Sequence, residues 1–116
     1  MRAVNRLSVD LEEVEEFSRD ELVARFIAKY APSSRRDYLR VLCLFFKWLR
    51  AKGFDLSPRQ LLNMHFQKLS SQDVLERRWA SHLVGDFLNS ELFEGISAAY
   101  KALAFSAIKQ FFHYYD

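Results

Sequence analysis

The sequence predicts an all-α protein, a compact bundle of four to five helices, and three observations carry that prediction. Breakers are few, with 3 Gly and 2 Pro in 116 residues. Long stretches place apolar residues at helical rather than strand spacing. Serine caps and an Ala-Pro stop punctuate those stretches where helices should begin and end. Half of the chain is hydrophobic, including 11 Phe, 5 Tyr and 2 Trp, which suffices for one core and argues against disorder.

Residues 1–17 form an acidic N-terminal arm with no clear cap, either flexible or a loose helix, and residues 18–116 form the helical domain. Ser18 and Glu21 read as a capping box opening the first helix, with Leu22, Phe26 and Ile27 inward. That helix should end near Ala31-Pro32. Ser33 or Ser34 caps the second, whose apolar positions Tyr38, Leu39, Val41, Leu42, Leu44, Phe45, Phe46, Trp48 and Leu49 cover well over half its circumference. Gly53 stops it. Ser57-Pro58 opens a short third helix carrying Leu61, Leu62 and Met64. A start at Ser70 to Asp73 opens a fourth, running to Leu88 with Val74, Leu75, Trp79, Leu83, Phe87 and Leu88 inward. Asn89 to Gly95 is the break, and Ser97 opens the last helix, packed through Leu103, Ala104, Phe105, Ala107, Ile108, Phe111 and Phe112.

Several kinds of chemistry are missing from this pattern. The single cysteine, Cys43, allows no intrachain disulfide, and a reducing, cytoplasmic setting fits. No Cys/His group has zinc spacing, no glycine-rich phosphate loop or nucleophile elbow occurs, and no cofactor or metal is expected. The run Val41 to Phe46 is far short of the roughly 20 apolar residues of a membrane span. Glu12, Glu13, Glu15 and Glu16 read as a solvated acidic face. Cys43 lies among bases, yet has no histidine neighbour to make it a nucleophile. An enzyme is therefore not expected in this chain.

The net charge of +2 conceals an asymmetry. Asp10, Glu12, Glu13, Glu15, Glu16, Asp20 and Glu21 face only Arg19, whereas Arg35, Arg36, Arg40, Lys47, Arg50 and Lys52 face only Asp37. With Arg36 as the zero of a helical wheel, Arg40 lies near 40°, Lys47 near 20° and Arg50 near −40°, at about 100° per residue. The small Cys43 is the sole non-cationic member of this stripe, which is about 21 Å long. Aligned cations of this reach suit a duplex, which carries one charge per roughly 1.7 Å of axis. The plain alternative is a solvated face, although such faces usually mix signs to gain i,i+4 pairs.

The segment from Ser33 to Gly53 resembles the opening of the core-binding domain of tyrosine recombinases, the phage-integrase SAM-like domain. The matching positions are Ser34, Tyr38, Leu42, Phe45 or Phe46, Trp48-Leu49 and Gly53. Ile96-Ser97 and Phe105 to Tyr114 are similar to the family's closing helix, and Ser71 to Val74 to the start of its middle helix. The likeness spans about residues 33–115. Tyr100 and Lys101 stand where the family often has Thr and an aliphatic residue, and the acidic arm is not part of its pattern.

The resemblance implies one half of a clamp around a recombination site, gripping double-stranded DNA in site-specific recombination or integration. Other recombinase protomers on the DNA are implied partners. The family's catalytic constellation is absent, and Tyr114 and Tyr115 lack the Arg and His that would make either a nucleophile. The candidate DNA contacts are Ser34, Arg35, Arg36, Arg40, Lys47 and Arg50, followed by Lys101 and Lys109 and then by Arg77 and Arg78. Ser34 would offer a phosphate the free N–H groups of its helix. The competing readings are a protein–protein interaction (oligomerisation) module, its acidic arm docking on another protomer's stripe, and a helix-turn-helix regulator. The DNA reading falls if Arg36, Arg40 and Lys47 are tied up with the glutamates of the leading segment or point in unrelated directions.

Overall fold

The computed structural model describes residues 8–116, and among these the chain is all helical. The elements are α1 (Leu11–Phe17), α2 (Glu21–Ile27), α3 (Pro32–Ala51), α4 (Pro58–Leu69), α5 (Val74–Arg77), α6 (Trp79–Leu88), a 3₁₀ turn (Glu91–Phe93) and α7 (Ala98–Tyr114). Helix α3 is the longest and packs against α1, α2 and α7, while α6 closes the bundle against α4 and α7.

Of the two states open to the acidic segment, a helix is found for Leu11–Phe17. Asp10 caps it by accepting from Glu13 N at 2.8 Å, and Glu13 accepts in return from Asp10 N at 3.2 Å. Glutamates 12 and 13 in its first turn favour the positive end of the helix dipole. Ser18 closes this helix instead of opening the next, its hydroxyl donating to Glu15 O at 2.6 Å. Asp20 is the cap of α2 and accepts from Leu22 N and Val23 N. A charged acceptor two residues on displaces the expected serine, because a carboxylate gains from both the orphan N–H groups and the dipole.

Helix α3 begins earlier than Ser33 or Ser34. Pro32 occupies its first turn, where a missing N–H costs nothing, and Ala31 is the cap without a side-chain bond. Ser34 therefore lies inside the helix rather than at its cap. The wide apolar arc of α3 is confirmed, with Leu39, Val41, Leu42, Phe45, Phe46, Trp48 and Leu49 all buried. Gly53 follows with φ +96°, the left-handed geometry that ends a helix most easily at glycine. Ser57 and Gln60 form the capping box of α4, and Ser97 caps α7 by accepting from Tyr100 N.

The segment expected as one helix from Ser70 to Leu88 is two. Asp73 caps the single turn α5, and Arg78 leaves helical geometry before α6 starts. The break lets α6 turn Ala80, Leu83, Val84 and Phe87 into the core while Val74 and Leu75 stay 57% and 66% exposed. Neither is inward as their spacing suggests. Phe105, also expected inside, is 47% exposed.

The interior is built on aromatic rings. Phe111 meets Phe26 edge-on at 5.4 Å and Phe46 at 6.4 Å, and Phe87 joins Phe45 and Phe93, each at 5.1 Å. Edge-to-face contacts of this kind add to area burial because ring faces are negative and ring edges positive. No polar or charged residue is fully buried among the described residues.

Candidate nucleic-acid interface

The cations of α3 fall into separate environments. Arg36 and Arg40 are exposed one turn apart, and neither has a hydrogen bond or ion pair to any described residue. Near them Tyr100, in the first turn of α7, feels the charges of Arg40 and Asp37 while burial raises its phenol above the ordinary value. Lys101, next to Tyr100, is half-buried. The first turn of α7 thus lies near the second and third turns of α3.

Further along the stripe Lys47 is covered. Lys47 Nζ donates to both oxygens of Glu13, at 3.1 and 2.8 Å, and to Ser8 O at 2.7 Å. It is tied to the acidic leading segment, whereas Arg36 and Arg40 have no bond to it. The Lys47 ammonium, and after it the Asp10 N–H, hold the Glu13 carboxyl below its usual range. Arg50 is exposed at the end of the stripe, beside a cleft it lines with Glu13, Glu16, Phe17 and Cys43.

Cys43 lies beneath this contact and is 6% exposed. Burial first, and Glu13 second, push its thiol from 9.0 up to about 11, while Arg50 and Lys47 pull the other way and lose. The bases that could have activated it are outweighed by desolvation.

Four other candidates stand apart. Arg35 turns back on the α2–α3 loop, where its guanidinium donates to Tyr30 O at 2.9 Å. Its Nε is buried without a partner. Ser34 is a half-buried first-turn residue of α3. Lys109 places its ammonium over the Phe105 ring and lines a largely apolar cleft with His65, Ala80, Val84 and Phe112, away from the stripe. Arg77 is bound to Ser71 O and Gln72 O, which ties it to its own loop.

Family models, curated proteins and solved structures yielded no match to this chain. Among the described residues no group of His, Cys, Asp or Glu could hold a metal ion, and no helix is long and apolar enough to cross a membrane. The residues that wheel reasoning missed are Glu13 and Ser8. A wheel orders residues within one helix, whereas Glu13 reaches Lys47 across 34 positions of sequence.

Proposed function

We propose that this chain grips duplex DNA, as the core-binding domain of a tyrosine recombinase or integrase does, and performs no catalysis of its own. The observation that carries this reading is the pair Arg36 and Arg40, exposed and unpartnered among the described residues at the free end of the longest helix. Two guanidinium groups one turn apart can each meet a phosphate or the O6/N7 edge of a guanine. Arg50 extends the contact to the other end of the same face, and Lys101 borders it from α7. The aromatic core beneath holds α3 rigid, so its cations present a fixed spacing rather than a floppy cloud. Other protomers of the recombinase would share the DNA with it.

The test is Arg36→Ala with Arg40→Ala, measured by fluorescence anisotropy on a labelled duplex across a salt series. The double variant should fold normally and lose at least about tenfold in affinity. The slope of log affinity against log salt should become shallower by about 2, since each phosphate contact contributes about 0.9. An unchanged isotherm would remove α3 as the contact surface.

A second reading, a helical interaction module, is favoured by one observation. Leu69, Val74 and Leu75 expose apolar surface around the α4–α5 turn. Light scattering after size exclusion separates the two readings: self-association without DNA retention replaces the first by the second.

A further inference from the structure

Helix α1 carries Glu12, Glu13, Glu15 and Glu16 and no base, yet it packs on the most basic helix of the protein. None of its residues is fully buried. Its hold on the bundle consists of Val14 and Phe17 packed at the core's edge, Phe17 lying 5.5 Å from Phe46, together with the Glu13–Lys47 pair. The Glu13 carboxylate thus sits on Lys47 where a phosphate would lie, on an element with a shallow anchor.

We propose that α1 is a displaceable acidic lid, and that α1 and duplex DNA compete for Lys47. The inference rests on the DNA reading above and adds its regulation. With the lid down, Arg36, Arg40 and Arg50 meet backbone towards the two ends of the stripe. With the lid lifted, Lys47 joins them, and the contact runs along the whole stripe. Lys47 exchanges one anionic oxygen for another, so its charge is never left unpaired. The lid thereby weakens binding to any short or distorted stretch of duplex that cannot follow the entire face, and favours one that can.

The discriminating substitution is Glu13→Gln. Glutamine serves as well as glutamate in a capping box, so α1 retains its cap while losing its charge opposite Lys47. Glu12→Gln removes the same charge from an exposed position with no bond to α3 and serves as the control. In anisotropy titrations Glu13→Gln should bind duplex about three- to tenfold more tightly than the unmodified protein, with a salt slope steeper by about 1. Glu12→Gln should change affinity by less than about twofold, since an exposed charge is screened.

Equal gains in both variants would show a general charge effect and overturn the lid, while leaving the DNA reading intact. No duplex binding by any of the three proteins would overturn both. A second measurement on the unmodified protein needs no substitution. Amide exchange in α1 should speed up when duplex is added, and unchanged or slowed exchange overturns the lid.

Discussion

Phe111→Ala is expected to lower the stability of the fold by about 3–5 kcal/mol, the usual cost of emptying an aromatic site that cannot collapse. Phe111 is 1% exposed and meets Phe26 of α2, Phe46 of α3 and Phe112 and Tyr115 of its own helix. Its ring is the point at which three helices share one contact. Removing it leaves a cavity whose walls are other rings, each already committed to an edge-to-face neighbour, so little can move in to fill it. Native domains are stable by only about 5–15 kcal/mol, and the variant should sit near the edge of folding. Urea titration followed by circular dichroism reads the change as a lower midpoint at a similar slope. Phe105→Ala, at the 47% exposed position of the same helix, supplies the internal contrast and should cost less than about 1 kcal/mol. Equal losses at the two sites would contradict the packing described.

Cys43 should be nearly inert while the protein is folded. With the thiol pushed up to about 11, its thiolate fraction at neutral pH is about a hundredfold below that of the same cysteine at its ordinary value of 9.0. Steric burial slows alkylation further. Iodoacetamide labelling at neutral pH should therefore run at least about a hundredfold slower than in denaturant. Comparable rates would show that α1 does not cover the thiol. The same shift sets a direction for stability. The raised value means that above pH 9 the unfolded chain releases the thiol proton while the folded chain keeps it. Stability from this group is thus fully present below pH 9 and declines as pH rises from 9 towards about 11.

The parts of the fold legible in the sequence are those set by local chemistry. Helix α3 declares itself because its apolar arc and Gly53 agree, although its proline entry reads in the sequence as the stop of the helix before it. Helices α4 and α7 do so through Ser57-Pro58 and Ser97. Boundaries were harder where two candidates compete within a few residues. Ser18 and Asp20 are both good caps, and the choice between them depends on where α1 ends. The division at Arg78 is invisible to periodicity, since Val74, Leu75, Trp79, Leu83 and Phe87 keep helical spacing across it. Only the direction in which α6 must pack decides that the first two face outward.

The candidate site divides in the same manner. Arg36 and Arg40 are exposed as the wheel implies, because exposure follows from the apolar arc opposite them. The fates of Lys47 and Arg35 depend on partners elsewhere in the chain, Glu13 and Tyr30 O, and no single-helix pattern encodes such meetings.

The joint at Arg78 has a consequence for how the molecule breathes. One turn of helix with no buried residue, fastened through Arg77 to its own loop and to α4 by the partly exposed Glu76–Lys68 pair, has no buried contact to lose on opening. The stretch from Ser71 to Arg78 should therefore unzip alone, many times for each event that exposes the backbone of Leu42 to Leu49. A protease admitted to that gap would leave two fragments still clasped around one set of rings, a nicked protein that keeps its shape.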